Sequence, residues 1–228
     1  MTMEIRPVAT FHSPFASKFG IPRQAGVVPT LRGEIVFERA YRNPDALRGI
    51  DGFDFLWLIW GFSANSHGPT SLMVRPPRLG GNERVGVFAS RSPFRPNGLG
   101  LSAVRLERVE WSTARGPVLH VLGADLMDGT PIFDIKPYMP YADSHAEARS
   151  GFAGQHDWHR LKVALAPTDQ QALAELGLDA ADVSQLCDVV AEDPRPQYQK
   201  NPSKVYGFTF KGVEVRFRVE GDEVRFVF

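Results

Sequence analysis

The apolar positions between residue 5 and about residue 135 fall in short runs that Gly, Pro and Asn residues separate. Runs of this length, without long amphipathic stretches between them, predict β-strands. Several strands spaced by turns favour a barrel or a sandwich over a sheet with helices between its strands. The predicted strands cover residues 33–37, 53–62, 85–89, 101–109 and 118–125.

One short helix is expected to interrupt these strands. Asn43 is a suitable N-cap because its side-chain oxygen can accept a hydrogen bond from a backbone amide of the first turn. Pro44 fits the first helical position, where no amide hydrogen is needed, and Gly49 follows the expected end.

The character of the sequence changes after Tyr141. Residues 142–157 are rich in Ala, Ser, Asp and His and show no sustained periodicity, which is typical of a junction. We therefore expect two domains, residues 1–143 and residues 144–228. The predicted fold is mainly β, with an antiparallel, barrel-like N-terminal domain and a small α+β C-terminal module.

Two helices are predicted early in the C-terminal module. Thr168 and Gln171 have the spacing of a capping box, and Gly177 is expected to end that helix. Asp179 is the expected N-cap of a second helix, which ends before Pro194.

The last part of the chain alternates apolar and polar residues with a period of two. This alternation covers residues 206–210, 213–219 and 224–228, and the pairs Lys211-Gly212 and Gly221-Asp222 are two-residue turn signals. The pattern predicts a three-stranded antiparallel meander.

Composition narrows the class of protein. The chain has 228 residues, 43% of them hydrophobic, and 26 basic and 26 acidic residues, so it can bury a full core. The N-terminus lacks a signal-peptide pattern, and the apolar run 53–62 is too short for a membrane span, so we expect a cytoplasmic protein without membrane contact. The single cysteine, Cys187, lies on an apolar helical stripe and is expected to be a core thiol.

The segment 91–102 is the strongest functional signal from composition alone. Pro93 and Pro96 stiffen it, so Arg91 and Arg95 are held in place, and Gly98 and Gly100 are expected to let a ligand approach the backbone. The segment is interpreted as a loop that binds an anion or a cofactor. The alternative is that both arginines form ordinary surface salt bridges.

Positive charge is concentrated around this loop. Seven arginines and no lysine lie between residues 75 and 108, together with only two acids, Glu83 and Glu107. Arginine suits the forked recognition of phosphate or carboxylate, so a nucleic acid or nucleotide is the favoured partner. The arginines are Arg75, Arg78, Arg84, Arg91, Arg95, Arg105 and Arg108.

A second motif occupies residues 128–141. Asp128-Gly129 predicts a turn, and a short strand over 132–135 would point Asp134 away from its apolar neighbours. Asp134 could simply pair with Lys136. His156 and His159 have no helical pattern to align them, so no metal site is expected.

These motifs together resemble the TrmO family, also called YaeB or TsaA-like, of S-adenosylmethionine-dependent tRNA methyltransferases. The resemblance is carried by residues 18–24, 91–102 and 128–141, with support from 75–82 and 85–89, and covers residues 5–143. It implies an all-β catalytic domain, a homodimer with the cofactor near the subunit interface, and S-adenosylmethionine as cofactor. The implied reaction is N6-methylation of a threonylcarbamoyl-modified adenosine beside the anticodon of tRNA.

The resemblance also implies which residues contact the cofactor. One departure lies at Ser63, where family members often carry a histidine; serine can form a hydrogen bond but cannot stack as an imidazole can. The implied cofactor-binding residues are Arg23, Gln24, Ala25, Ser63, Ala64, Arg91, Leu101, Asp128, Gly129, Thr130 and Pro131.

Roles in catalysis and RNA binding follow from the same reading. The acceptor nitrogen is a poor nucleophile, so a carboxylate could accept its proton, and Asp134 is the candidate, with Asp128 as the other available acid. Arg95 and Lys136 are predicted to contact RNA phosphates, and Tyr138 to stack on an unpaired base. Two alternatives stay open: an RNA-binding module that has lost the cofactor, and a methyltransferase acting on another RNA or a small molecule.

Overall fold

The N-terminal part of the chain is built from β-strands. The computed structural model describes residues 4–65, 71–76, 83–154, 159–196 and 201–228. The strands are β1 (Ala9–His12), β2 (Arg32–Phe37), β3 (Phe55–Gly61), β4 (Met73–Val74), β5 (Val85–Gly86), β6 (Leu99–Glu110), β7 (Val118–Leu122) and β8 (Thr130–Pro137). Six of them close into an antiparallel barrel in the order β1-β2-β7-β6-β3-β8, which confirms the predicted fold class.

The barrel interior is filled by alternate side chains of its strands. From β3, Leu56, Leu58 and Trp60 point inward and are buried. Gly100 faces the Trp60 ring, and a Cβ atom on this glycine would lie 2.3 Å from it. Gly100 therefore makes room for a core tryptophan, and it also lines the cavity described below, so its predicted approach by a ligand stays a prediction.

Short 3-10 helices connect the barrel strands. They cover Arg39–Tyr41, Pro44–Leu47, Ile50–Gly52, Val87–Ala89 and, after the barrel, Gly151–Gly154. The predicted helix at Pro44 is confirmed as one such turn: the Asn43 side chain accepts from the Asp45 amide at 3.0 Å, and Gly49 has φ +86°.

The strand predicted over 85–89 is wrong beyond Gly86. Ser90 turns the chain there, because its amide and its hydroxyl both donate to the carbonyl of Val87, at 3.2 and 2.9 Å. The two-residue strand β5 pairs only with β4, outside the barrel.

The C-terminal part combines helices with a four-stranded sheet of order β10-β11-β12-β9. The predicted three-stranded meander is confirmed. A fourth strand, β9, pairs in parallel with β12 at the edge of the sheet, and its three residues were too short to predict from the sequence. The elements are α1 (Pro140–Asp143), β9 (Lys162–Ala164), α2 (Pro167–Glu175), α3 (Ala180–Ala191), β10 (Tyr206–Phe210), β11 (Val213–Glu220) and β12 (Glu223–Phe226).

The helix ends follow local capping chemistry. The cap of α3 is as predicted, since the Asp179 side chain accepts from the Asp182 amide at 2.8 Å. The predicted capping box of Thr168 and Gln171 is wrong: the N-cap of α2 is Ala166, two residues earlier, and the Asp169 carboxylate accepts from the Ala166 amide at 3.0 Å. Gly177, with φ +96°, lies just beyond α2 as expected.

The β1–β2 loop, residues 13–31, packs against the C-terminal sheet. Phe15 is fully buried, its ring meets that of Phe210 edge-on at 5.6 Å, and the two residues form an isolated β-bridge. Phe19 stacks on Tyr206 at 6.4 Å between ring centroids. The loop therefore shares a hydrophobic core with the C-terminal module.

Cys187 is a free, partly buried thiol on α3, and burial raises its pKa to about 11.

The division of the chain into two domains at residue 143 stays a prediction. Among the described residues, no helix combines the length and apolarity of a membrane span.

Candidate functional site

A cavity of about 820 Å³ opens at one end of the barrel. This volume lies within the range of about 300–1,000 Å³ that is usual for small-molecule sites. Its walls come from five parts of the chain: the β1–β2 loop, the end of β3, the loop before β6 (residues 90–98, called here the arginine loop), the start of β6, and residues 125–130.

Polar side chains join three of these segments. Lys18 of the β1–β2 loop donates to the Asn65 side-chain oxygen, and Asn65 Nδ2 donates to the Pro93 carbonyl at 3.1 Å. The β1–β2 loop, the end of β3 and the arginine loop are thus fixed relative to one another.

A second connection runs through Arg91. Its Nη1 donates to Gln24 Oε1 at 2.6 Å, and Gln24 Nε2 donates to the Arg23 carbonyl at 2.6 Å. Arg91 is exposed at the cavity, so part of its guanidinium faces solvent. This predicted cofactor residue is held in position before any ligand binds.

Arg23 lines the cavity, but its guanidinium also reaches the C-terminal module. Its Nη2 donates to the carbonyls of Asp193 and Arg195, at 3.1 and 3.2 Å. Arg23 therefore anchors the β1–β2 loop to the segment that follows α3.

Arg95, predicted to contact RNA, lines the same cavity. Its Nη1 donates to the carbonyls of Ser90 and Ser92, at 3.2 and 3.4 Å, and its carbonyl accepts from the Gly98 amide at 3.1 Å. Gly98 adopts φ +58°, as its place in a tight turn requires. Arg95 thus closes the arginine loop on itself.

One acidic side chain, Asp125, lines the cavity among the residues that the structure describes. Ser102 Oγ donates to Asp125 Oδ1 at 2.6 Å, and Trp60 Nε1 donates to Ser102 Oγ at 3.0 Å. The Ala25 amide also donates to this carboxylate. Burial is the main influence on Asp125 and raises its pKa, while these hydrogen bonds and the nearby Arg91 partly oppose the increase.

The remaining predicted cofactor residues separate into two groups. Ser63, Ala64, Leu101 and Thr130 line the cavity with Arg23, Gln24 and Arg91. Four others are not among its lining residues: Ala25, Asp128, Gly129 and Pro131.

Asp128 instead contacts the end of β1. Its Oδ1 lies 3.1 Å from His12 Nδ1 and accepts from the Ser13 amide at 3.2 Å. This places the Asp128-Gly129 turn at the base of the β1–β2 loop, where it supports the loop that carries Gln24.

The other predicted functional residues lie on β8 and just beyond it, outside the cavity. Asp134 is exposed and accepts from its neighbour's amide, at Ile135, at 3.0 Å. Lys136 is opposite Trp57 in the sheet, and the Tyr138 ring packs 5.5 Å from the Trp57 ring. None of the three lines the cavity, but each contacts a β3 residue that does: Asp134 is opposite Ile59, and Lys136 and Tyr138 are next to Trp57.

The arginine cluster is spread over several surfaces. Arg91 and Arg95 line the cavity, whereas Arg105 is on the outer side of β6 and Arg108 pairs with Glu107 at 3.2 Å. Arg78 and His156 lie outside the described residues. Within the described part of the chain, no group of three or more His, Cys, Asp or Glu side chains is arranged to hold a metal ion.

Several lining residues had no sequence signal. Trp60 belongs to an ordinary strand pattern, and Asp125 follows a strand without a recognisable motif. Lys18 belongs to the segment 18–24 that carries the family resemblance, but no neighbouring residue in the sequence indicates its contact with Asn65. Only the closed barrel and its loops bring these side chains together.

The chain is thus a closed β-barrel with an appended α+β module and a small-molecule cavity in which four of the five charged lining side chains are basic. Family models match both parts of the chain: the tRNA-methyltransferase O N-terminal domain over residues 10–144 and the TrmO C-terminal domain over residues 159–227. The chain belongs to the TrmO family.

Individual relatives agree with this assignment. The chain is 37% identical over 222 residues to the tRNA (adenine(37)-N6)-methyltransferase of Escherichia coli K12, which covers 96% of this chain and 94% of that protein. It is 38% identical over 224 residues to a putative S-adenosylmethionine-dependent methyltransferase, RcsF, of Pseudomonas aeruginosa PAO1, covering 95% and 93%. A crystal structure of TrmO from Pseudomonas aeruginosa superposes with a TM-score of 0.77 at 31% identity, covering 100% and 98% of the two chains.

The raised pKa of Asp125 predicts a pH-dependent effect on stability. Between the ordinary pKa and the raised one, the folded chain binds more protons than the unfolded chain, so the free energy of unfolding falls as the pH rises through this interval. Asp125→Asn removes this titration, and we expect it to raise the melting temperature at neutral pH by about 2–4 °C.

Thermal melts across a pH series test this expectation. The gain in the melting temperature of Asp125→Asn should shrink as the pH is lowered towards the ordinary aspartate pKa of about 3.9. Asp51→Asn, on an exposed 3-10 turn, is the matched control and should change little. A variant that melts below the unaltered protein at neutral pH would contradict the prediction.

Proposed function

We propose that this chain is an S-adenosylmethionine-dependent methyltransferase that modifies N6 of the adenosine at position 37 of tRNA, beside the anticodon. We also propose that this adenosine carries a threonylcarbamoyl group and that the reaction takes place in the cytoplasm. The observation that carries the proposal is the convergence of separated family motifs, 18–24 and 91–102, on one cavity. Relatives that match along nearly the whole chain are named for this reaction.

The cavity suits the proposed cofactor. The exposed part of the Arg91 guanidinium can bind the cofactor's carboxylate, and backbone groups beside Leu101 can bind its adenine. Ser63 can add one hydrogen bond, and Ala64 leaves space beside it. The bound cofactor would supply an electrophilic methyl group on its sulfonium sulfur.

The lining charge suits an RNA substrate. Lys18, Arg91 and Arg95 form no ion pair with any described residue, so their charges are available to attract phosphates. Phe88 lines the cavity and is 77% exposed, which is unusual for a phenylalanine and suits stacking on an unpaired base. Lys136 and Tyr138 can contact RNA only if the tRNA extends along the outer face of the barrel.

The contribution that we assign to the protein is positioning. The acceptor nitrogen and the cofactor methyl must be held in line at short distance, and the linked loops around the cavity can fix both partners. Asp134 stays a candidate proton acceptor by prediction only: it does not line the cavity, although it is opposite Ile59, which does.

We further propose that the protein is a homodimer. The outer face of strands β6, β3 and β8 presents Leu101 (58% exposed) and Phe55 (42% exposed) beside the partly buried Trp57. Apolar side chains this exposed on neighbouring strands are typical of an interaction surface. Leu101 also lines the cavity, so a second subunit on this face would lie next to the cofactor.

Substitution of Arg91 tests the proposed enzyme. We expect Arg91→Ala to weaken S-adenosylmethionine binding by about tenfold or more, because a charge-assisted hydrogen bond to the cofactor carboxylate is lost. Calorimetric titration measures the affinity, and transfer of labelled methyl groups to total tRNA measures the reaction. Arg39→Ala, on an exposed 3-10 turn, is the control.

Two results would count against the enzyme. An unaltered protein that binds RNA but not S-adenosylmethionine would favour the RNA-binding alternative. A protein that binds the cofactor but labels only small molecules would exclude tRNA as substrate.

A charge placed in the outer face tests the dimer. We expect Phe55→Asp to shift the protein to monomers, because the carboxylate would be desolvated in the interface. Light scattering after size-exclusion chromatography measures the mass. Phe228→Asp, at an exposed position outside the barrel, should leave the mass unchanged; a Phe55→Asp protein that stays dimeric would place the interface elsewhere.

A further inference from the structure

We propose that Asp125 binds the positively charged sulfonium of S-adenosylmethionine and thereby lets the cavity distinguish the cofactor from its neutral product, S-adenosylhomocysteine. This inference rests on the proposed function. Asp125 is neither a predicted site residue nor part of a recognised motif, and it is singled out by its place in the cavity.

The charged side chains that line the cavity are mostly basic. Lys18, Arg23, Arg91 and Arg95 all line the cavity, and Asp125 is the acid that lines it among the described residues. Such a lining attracts phosphates but repels a cation. The cofactor's amino-acid end carries both a carboxylate and an ammonium, so its charges balance there. The sulfonium has no counter-charge within the cofactor, and Asp125 can supply it.

The Asp125 carboxylate is held by hydrogen bonds. Ser102 Oγ donates to it at 2.6 Å, and Ser102 is itself fixed by the buried indole of Trp60 at 3.0 Å. The Ala25 amide of the β1–β2 loop also donates to it. The carboxylate is therefore oriented by β6 and by the β1–β2 loop, next to the predicted cofactor residues Leu101 and Gln24.

The Asp125 carboxylate has no salt-bridge partner within the described part of the chain. It is partly buried at the cavity, and desolvation makes its ionised form costly, although the nearby Arg91 lowers that cost. A cationic ligand beside the carboxylate would offset the remaining cost.

The same contact would help product release. When the methyl group moves to N6, the electron pair of the broken S–C bond stays on sulfur, which becomes a neutral thioether, and N6 loses its proton to solvent. Asp125 then has no cationic partner, so the product is held less tightly than the cofactor.

Three ligands distinguish the contribution of the sulfonium to binding from that of the rest of the cofactor. S-adenosylmethionine carries the sulfonium, S-adenosylhomocysteine has a neutral sulfur, and sinefungin has an amine near the same position. Calorimetric titration of all three into the full-length protein and its Asp125→Asn variant gives the affinities without requiring turnover.

We expect Asp125→Asn to lower the affinity for S-adenosylmethionine and sinefungin by about tenfold or more, and the affinity for S-adenosylhomocysteine by less than about threefold. Asp125→Glu keeps the charge and should preserve the ratio of cofactor to product affinity, even if both affinities fall. Asp51→Asn is the control for loss of a carboxylate elsewhere, and melting temperatures confirm that each variant is folded.

The outcomes distinguish this inference from the proposed function. Equal weakening of all three ligands would overturn it, because Asp125 would then bind a part that they share. Unchanged affinities would overturn it as well. An unaltered protein that binds none of the three would overturn the proposed function itself.

Discussion

Packing of the β1–β2 loop against the C-terminal sheet is the interaction on which the site depends. Phe15 and Phe210 are both fully buried at this contact, and a buried phenylalanine contributes about 1.5–3 kcal/mol. The loop continues from this anchor to Arg23, which bonds to the carbonyls of Asp193 and Arg195, and then to Gln24, which meets Arg91. The C-terminal module therefore holds one wall of a cavity that the barrel alone would leave incomplete.

Electrostatics then gives the cavity its chemical character. Cationic side chains surround it, and their hydrogen bonds go mainly to carbonyl and amide oxygens, so the positive charge is not cancelled locally. Asp125 contributes a partly buried negative charge whose desolvation costs stability in the absence of a ligand. A site that binds a cation beside a polyanionic substrate requires both signs of charge in one place, and the barrel supplies them from different strands and loops.

Sequence could predict features that depend on neighbouring residues. The β3 run, the C-terminal meander and the Asp179 cap are local patterns, and all three appear in the structure. Contacts between residues far apart in the chain could not be predicted: Gly100 makes room for Trp60, and Arg91 donates to Gln24. The family resemblance identified most of the segments that line the cavity, whereas the position of Asp125 in the cavity could be seen only in the folded chain.

The first measurement to make is a crystal structure of the protein with bound S-adenosylmethionine. We expect cofactor density in the cavity between the β1–β2 loop and the arginine loop, with the carboxylate at Arg91 and the sulfur facing Asp125. Density for the cofactor at any other surface, or in the cavity with the sulfur turned away from Asp125, would show that the site or the role of Asp125 is wrong.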